Sequence, residues 1–248
     1  MKPYQVALEI AGDTAMWTRP DTGDCPVSYP APTYSAVAGI FKAVNWGPAV
    51  EIVPFKCEIC RPLRFHGYST NYGGPLRSGE QIANGNSYQF LATVLTDVCY
   101  RLHAHVYPTR DKKSFDEHAR RWDNGTPVKT GTHDFKGGEK GRTPRGTPSS
   151  GTTSPGHAYA AIFNRRLKRG QWFALPVLGW SEFTPSYVGP FREGTKARED
   201  INTVLPSMLR EVFPGGYNAP LRFIYDQNVK IENGVLTYPL KGGEVADD

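Results

Sequence analysis

The stretch FLATVLTDVCYRLHAHVY at residues 90–107 alternates apolar and polar side chains over a long run, which is typical of a β-strand with one buried face. The residues on the shared apolar face are Val98, Tyr100, Leu102, Ala104 and Val106. The preceding segment AVEIVPFKCEIC at 49–60 predicts the partner strand, and Pro54 within it indicates a bulge or a sheet edge. Residues 66–89 are rich in Gly, Asn, Ser and Tyr, so we expect a polar excursion at the tip of a long hairpin.

The segments on either side of this hairpin complete a β-α-β-β-α-β order. Residues 4–11 predict a first strand, and apolar residues at helical spacing predict a helix over about 34–46. A second amphipathic helix is predicted at 157–169 (HAYAAIFNRRLKR), followed by a buried strand at 172–180 (WFALPVLGW). We therefore expect an α+β, ferredoxin-like (RNA-recognition-like) domain with an extended hairpin.

The domain organisation follows from shifts in composition along the chain. Residues 1–189 are expected to form the ferredoxin-like domain, and residues 190–248 a small antiparallel β-rich extension with a hairpin at Asn233-Gly234. Residues 124–156 contain eight Gly and four Pro and few apolar side chains. Such a segment cannot bury enough apolar surface to offset its ordering entropy, so it predicts a flexible insertion. The alternative is a basic loop that contacts nucleic acid and orders on binding.

Composition narrows the functional class. The chain has 29 Lys and Arg against 24 Asp and Glu, a net charge of +5 that permits an anionic partner. Aromatic residues make up 12% of the chain, and aromatics together with cations suit RNA, although the same rings could fill a β-rich core. The sequence predicts neither a transmembrane segment nor a secretory signal, and four cysteines do not make a disulfide scaffold. We therefore expect a cytoplasmic protein with reduced thiols and no membrane partner.

Common catalytic and metal-binding motifs are absent from the sequence. There is no GxSxG elbow, Walker loop or dinucleotide fingerprint, which argues against the commonest hydrolases, NTPases and oxidoreductases. Cys57 and Cys60 have CxxC spacing, but on a strand their thiols would point to opposite faces. His103 and His105 would share a strand face, which is ordinary for a half-exposed strand. The sequence therefore predicts no metal and no cofactor.

A cluster of cations is the remaining candidate for chemistry. RRLKR at 165–169 places four cations within five positions of the second predicted helix, close to His157 and Tyr159. Such a cluster is often only a solvated helix face. RNA cleavage without a metal needs a base for the 2′-hydroxyl proton, a cation for the developing phosphorane charge and an acid for the leaving oxygen. His157, Tyr159 and Lys168 have the side-chain types that these roles require.

Five segments, taken in order, carry a resemblance to a known family. They are VALEIAGDTAMWTRP (6–20), VSYPAPTYSAVAGIFKAVNWGPAVEIV (27–53), CEICRPLRF (57–65), TVLTDVCYRLHAHV (93–106) and FNRRLKRGQWFALPVLGW (163–180). On these segments the chain resembles the CRISPR-associated family-five proteins of subtype d, a subunit of the type I-C Cascade complex.

The resemblance implies a ferredoxin-like domain that binds the 5′ handle and repeat of CRISPR RNA. It also implies metal-independent endoribonucleolytic cleavage of the precursor, leaving a 2′,3′-cyclic phosphate. The implied partners are the CRISPR RNA and the backbone and large subunits of Cascade, with target DNA contacted only indirectly. The excursion at 66–89 would be a thumb-like hairpin. The alternative is a non-catalytic RNA-binding cap, with the RNA cut by another protein.

The predicted site combines the resemblance with the residue chemistry. Family members often carry Tyr or His before the Trp that ends the first helix, where this chain has Asn45 before Trp46. They often carry Lys-His, or Lys with another aromatic residue, at the start of the second helix, where this chain has Ala158 and Tyr159. His157 is one position earlier and could substitute if the helix start shifts by one residue. The predicted catalytic residues are His157, Tyr159 and Lys168. The predicted RNA-binding residues are Arg19, Asn45, Trp46, Arg64, His66, Tyr68, Arg77, Arg165, Arg166 and Arg169.

Overall fold

A computed structural model of the chain describes residues 4–47, 50–72, 78–85, 88–108, 154–212, 222–239 and 244–245. Within these ranges the protein has a mixed α/β fold whose strand pairs are antiparallel. The strands are β1 (Tyr4–Ala15), β2 (Val50–Ile59), β3 (Phe65–Tyr72), β4 (Tyr88–Pro108), β5 (Tyr187–Gly189), β6 (Thr203–Glu211), β7 (Ile224–Glu232), β8 (Val235–Thr237) and β9 (Glu244–Val245). The helices are α1 (Tyr34–Val44), α2 (Gly79–Ala83) and α3 (Pro155–Arg169).

Strand β4 organises the sheet, as its alternating sequence predicts. It runs for 21 residues and pairs with β1 on one side and with β2 on the other. The five apolar residues predicted to share a face, at positions 98 to 106, are all buried in the core. The irregularity predicted at Pro54 is confirmed, because the register between β2 and β4 shifts between Pro54 and Lys56.

The predicted polar excursion at 66–89 contains regular structure. Strand β3 pairs with the first part of β4, so the hairpin extends beyond the region where β4 contacts β1 and β2. The short helix α2 begins with a capping box formed by Ser78 and Gln81. Asp97 lies where β4 changes partners and has a φ of 53°, in the left-handed region that Asp tolerates better than most residues.

Both long helices begin after a residue whose side chain caps the helix. The Thr33 side chain accepts a hydrogen bond from the Ala36 amide at the start of α1. Helix α3 begins at Pro155, two residues before its predicted start, and Ser154 caps it. The helices cross where the rings of Phe41 and Phe163 lie 5.6 Å apart. They pack on one face of the sheet, α1 against β2 and α3 against β1 and β4.

The prediction of a strand at 172–180 is wrong. The structure has no strand there, and the first strand after α3 is β5, a three-residue strand that pairs with the middle of β1. The amides of Phe173 and Ala174 instead donate to the Ala43 carbonyl, each at 2.9 Å, so this backbone satisfies the end of α1. Farther along, Gly179 has a φ of +97° and lies against the Met16 carbonyl, where a side chain would collide.

The C-terminal strands continue the same sheet. β7 and β8 form the predicted hairpin, and Asn233 and Gly234 have φ values of 51° and 72°, as a two-residue type I′ turn requires. β8 also pairs with β2 through Lys56, Cys57 and Glu58. The strand order is therefore β5-β1-β4-β2-β8-β7-β6, with β3 added on β4 and β9 on β7.

Two further predictions concern the flexible insertion and membrane-spanning segments. Most of the predicted flexible insertion at 124–156 lies outside the described residues, and only 154–156 fall inside them, at the start of α3. Among the described residues, no helix has both the length and the apolar character needed to span a membrane.

Candidate nucleic-acid interface

An exposed aromatic pair lies at the C-terminal end of α1. Trp46 follows the helix and is 52% exposed, and Phe173 is 58% exposed. Their rings lie 5.7 Å apart at an angle of 31°. The Phe173 amide donates to the carbonyls at the end of α1, which fixes the ring beside Trp46. Two large apolar rings held open to solvent offer a surface on which a nucleic-acid base can stack.

Two side chains from α3 reach the same end of α1. The Arg166 Nη1 donates to the Val44 carbonyl at 3.5 Å, and the Tyr159 hydroxyl donates to the Asn45 carbonyl at 2.5 Å. These contacts satisfy carbonyls that the helix leaves without an internal partner. A half-buried guanidinium therefore lies next to the aromatic pair, where it can meet a phosphate.

The remaining cations of α3 are exposed. Arg165, Lys168 and Arg169 all lie in its last turns, at the helix end where the macrodipole favours positive charge. At 100° per residue, Arg165, Arg166 and Arg169 fall within an arc of about 100° on the helix surface. One strand of RNA running along this side of α3 can contact all three.

The predicted catalytic residues do not converge. His157 is exposed in the first turn of α3, with its ring 5.5 Å from the Tyr4 ring in an edge-on contact. Lys168 lies on the same side but eleven residues later, about 16 Å along the helix axis. Tyr159 lies two residues from His157 and on the opposite, buried side of α3.

Tyr159 has the environment of a packing residue. It is 6% exposed, its ring stacks with Phe163, and its hydroxyl proton is committed to the Asn45 carbonyl. Burial raises the pKa of the Tyr159 hydroxyl well above its ordinary value. A phenol that is this hard to ionise is poorly suited to take a proton from a ribose hydroxyl near neutral pH.

The other predicted RNA-binding residues lie away from α3. Arg19 is paired with Asp21 at 2.6 Å, and Arg64 lies 3.6 Å from Asp97. His66 is exposed on β3, and Arg77 lies outside the described residues.

Tyr68 is partly buried on β3. Its ring packs edge-on against Trp180 and Phe183. These contacts belong to the base of the hairpin. Arg64, His66 and Tyr68 therefore lie together near the hairpin, apart from the predicted RNA-binding residues of α1 and α3.

Sequence reasoning missed Phe173 as a site residue. Its segment is apolar, which favours a buried strand, and the local pattern contains no signal that the ring is exposed. Its partner Trp46 lies more than a hundred positions earlier in the chain, so the pair becomes visible only in the folded protein.

The fold also determines where the possible metal ligands of the sequence lie. Cys57 lies in the main core and Cys60 in a separate small cluster on the other face of the sheet, as strand geometry predicts. The His103 Nε2 lies 3.1 Å from the Glu58 carboxylate, and His105 stacks on Phe55. In the part of the chain that the structure describes, no group of three or more His, Cys, Asp or Glu residues could hold a metal ion.

Comparison with known proteins finds one family to which the chain is similar. The family model for Cas5d, described as a CRISPR-associated protein (Cas_Cas5), matches residues 6–125. A curated relative from Mannheimia succiniciproducens, "CRISPR pre-crRNA endoribonuclease Cas5d", is 25% identical over 255 residues, covering 95% of each chain. In sequence, the chain is similar to the Cas5d family.

A second relative and a solved structure show further likenesses. A second relative of the same name, from Thermus thermophilus, is 28% identical over 75% of this chain and 64% of its own. A solved structure titled "Crystal Structure of CRISPR-associated Protein" covers 100% of both chains with a TM-score of 0.61 and 18% identity, a likeness of fold. Helix α3, which carries the predicted catalytic residues, lies outside the part that the family model matches.

Proposed function

We propose that this protein is a Cascade subunit that binds the 5′ handle and repeat of CRISPR RNA and cleaves the precursor RNA without a metal ion. Similarity to the Cas5d family supports the proposal, because two relatives are named pre-crRNA endoribonucleases. One of them is matched over 95% of its length, so the likeness extends beyond a shared segment.

The observation that carries the proposal is the exposed Trp46–Phe173 pair beside Arg166 and the cations of α3. Single-stranded RNA binds through bases that stack on aromatic rings and through phosphates that pair with cations. Both kinds of group lie around the last turn of α1. We assign base stacking to the aromatic pair and phosphate binding to Arg165, Arg166 and Arg169.

For cleavage, His157 is assigned the proton transfer at the scissile 2′-hydroxyl. Its imidazole is exposed, and imidazole is the side chain best suited to general acid–base chemistry near neutral pH. Because Lys168 lies about 16 Å away along α3, it is assigned to a phosphate farther along the same strand. Tyr159 is assigned a packing role, in which its hydroxyl donates to the Asn45 carbonyl.

A non-catalytic role is the second candidate. The observation in its favour is that the described residues do not bring His157, Tyr159 and Lys168 to one phosphate. In that case the protein would be a cap that binds the RNA handle while another protein cuts the repeat.

An RNA-cleavage assay separates the two functions. The full-length protein is incubated at saturating concentration with its repeat RNA in the presence of EDTA, and single-turnover cleavage is followed. We expect cleavage by the wild type, loss of cleavage in His157→Ala and unchanged RNA affinity in that variant. His66→Ala removes another exposed histidine, on β3, and should still cleave at saturation. Tight binding without cleavage by the wild type would establish the cap, and failure to bind would refute both functions.

The finer architecture belongs to the same proposal. The order β5-β1-β4-β2 with α1 and α3 on one face supports a ferredoxin-like domain over residues 1–189, with 190–248 as its β-rich extension. We propose that the β3–β4 hairpin is the thumb that contacts the RNA handle and a neighbouring backbone subunit. Phe65 and Leu91 support this role, because both are large apolar residues about half exposed on the hairpin. The expected location is the cytoplasm.

A further inference from the structure

The sheet face opposite α1 and α3 carries a buried carboxylate with two guanidinium partners. Glu9 on β1 is fully buried, and its carboxylate accepts a hydrogen bond from the Arg192 Nε at 2.5 Å. The Arg192 amide at 3.1 Å and the Arg101 Nε at 3.4 Å donate to its other oxygen. These donors hold the pKa of the Glu9 carboxyl below its usual range against the effect of burial, which raises it. The two arginines leave a net positive charge on this part of the face.

Two cysteines lie directly opposite each other beside this cluster. Ile59 and Tyr100 are partners in the β2–β4 ladder, and the next pair is Cys60 and Cys99, whose backbones share a 2.8 Å hydrogen bond from the Cys60 amide to the Cys99 carbonyl. Directly opposed residues of antiparallel strands have Cα atoms about 4.5–5.5 Å apart. That separation lies within the range that a disulfide spans. The pair can therefore be bridged with little movement of the backbone.

The Cys99 thiol has the surroundings of a reactive cysteine. The Arg192 Nη2 lies 3.6 Å from the Cys99 sulfur. Contact with the Cys60 thiol and the nearby Arg192 lower the pKa of Cys99, while burial and Glu9, to which the Cys99 thiol donates at 3.7 Å, act the other way. The Cys60 thiol donates to the Glu58 carbonyl at 3.6 Å, and its contact with Cys99 together with burial raises its pKa. Cys99 is therefore the member of the pair that ionises first.

Both cysteines border an open cavity of about 840 Å³. Its other walls are Arg61 and the segment 192–200, which contributes the cations Arg192, Lys196 and Arg198 and the carboxylates Glu193, Glu199 and Asp200. A cavity of this size accommodates a small organic molecule, and its mixed charges suit one that carries both carboxylate and ammonium groups.

We propose that Cys60 and Cys99 form a redox modification site, which a small anionic disulfide of the glutathione type enters through this cavity and oxidises to an intramolecular disulfide. Nothing in the RNA-binding role requires this site, because it lies on the opposite face of the sheet from α1 and α3. A disulfide in a reducing compartment is reversible and typical of redox sensing.

The reaction proceeds by two exchanges. The Cys99 thiolate attacks one sulfur of the small disulfide, forms a mixed disulfide and releases the first small thiolate. Cys60 then loses its proton, and its thiolate attacks the Cys99 sulfur and releases the second small thiolate. The two protons from the protein thiols end on the two released thiolates. Two protein thiols are thereby oxidised, and one small disulfide is reduced to two thiols.

The remaining cysteines serve as internal controls. Cys60 and Cys99 are themselves only 9% and 2% exposed, but they border the cavity, whereas Cys57 lies in the main core on the other face of the sheet, where burial raises its pKa. Cys25 is exposed and lies on a different part of the chain. Under the same treatment we expect Cys57 to stay reduced and Cys25 to stop at the mixed disulfide.

The test uses the full-length protein under native conditions. The wild type is incubated with oxidised glutathione, alkylated, digested without reduction and analysed by tandem mass spectrometry. We expect a peptide pair linked through Cys60 and Cys99, which disappears after treatment with dithiothreitol. If Cys25 carries glutathione while Cys60 and Cys99 remain alkylated thiols, or if the link joins Cys57 to Cys60, the proposal is overturned.

Variants test the order of the two steps. In Cys60→Ser we expect the reaction to stop with one glutathione on Cys99, whereas Cys57→Ser should still form the Cys60–Cys99 link. An adduct on Cys60 in Cys99→Ser, at the rate seen for Cys99 in Cys60→Ser, would refute the assignment of Cys99 as the attacking thiol. Circular dichroism confirms the fold of each variant, and the wild-type result stands if a variant does not fold. Binding of repeat RNA is measured separately, so failure of the redox site and failure of the proposed RNA function are distinguishable.

Discussion

Removing three cations from α3 should weaken RNA binding in a way that depends on salt. The variant replaces Arg165, Arg166 and Arg169 with Gln, which leaves the helix-forming character of these positions largely unchanged. The three side chains fall within an arc of about 100° on α3, so one single strand can place three phosphates against them. Each phosphate contact on a single strand contributes about 0.7 to the slope of log affinity against log salt.

The magnitude follows from that count. Losing three contacts should make the slope shallower by about 2. Between about 50 and 200 mM salt, the affinity of the variant should therefore decrease by a roughly twentyfold smaller factor than that of the wild type. Fluorescence anisotropy with labelled repeat RNA measures both slopes. The matched control replaces the exposed cations Lys196, Arg222 and Lys230, which lie outside α3, and lowers the net charge from +5 to +2 as the first variant does.

The two variants separate local contact from overall charge. We expect the control to keep a slope close to that of the wild type, because an exposed cation far from the bound strand releases no counterion on binding. An unchanged slope in the α3 variant, or an equal change in the control, would refute the assignment of this helix to the RNA interface.

Three further outcomes follow from the packing and the buried titratable groups. Tyr159→Phe should cleave RNA at the wild-type rate and lose about 1 kcal/mol of unfolding free energy, because only the hydrogen bond to Asn45 is removed; a variant with normal stability and no cleavage would contradict this. Phe163→Ala should lose about 3–5 kcal/mol in urea unfolding, because its ring is fully buried between α1 and the sheet, and a loss below 1 kcal/mol would show that this contact is not tightly packed. Burial lowers the pKa of His103 and His105 from 6.5 to about 4. Between these two pH values the unfolded chain binds more protons than the folded protein, so the free energy of unfolding decreases as the pH falls. In His105→Gln, the free energy of unfolding measured in urea should decrease less between pH 7 and pH 4.5 than it does in the wild type.

The elements that follow from local sequence are those whose pattern is long. The alternation at 90–107 is sufficient to predict β4, and the capping residues at Thr33 and Gly170 predict where α1 begins and α3 ends. The turn at Asn233-Gly234 is equally local, because both residues adopt positive φ. Each of these features depends on neighbours within a few positions.

The errors arise where distant residues decide the structure. The apolar run at 172–180 resembles a buried strand, but its amides bond to the end of α1, and Phe173 and Leu175 are exposed. β5 has only three residues, too few for a pattern, and pairing with β1 alone defines it.

The candidate site was only partly predictable for the same reason. The cations of α3 are contiguous in sequence and were identified, and Trp46 was identified from the family resemblance. The burial of Tyr159 and the pairing of Phe173 with Trp46 depend on how α3 and the segment after it pack against α1.

The continuity of β4 constrains how the hairpin can change in length. Because one strand serves both the hairpin and the central sheet, the side that each hairpin residue faces is set by its distance from the core. Ala92 and Val94 point inward while Leu91 is half exposed. Deleting one residue between Leu91 and Asp97 would move the buried side chains to the exposed side of the strand and the exposed ones to the buried side, whereas deleting two would restore the original sides. Proteins of the Cas5d family with longer or shorter hairpins should therefore differ by even numbers of residues on this strand, or carry a compensating bulge.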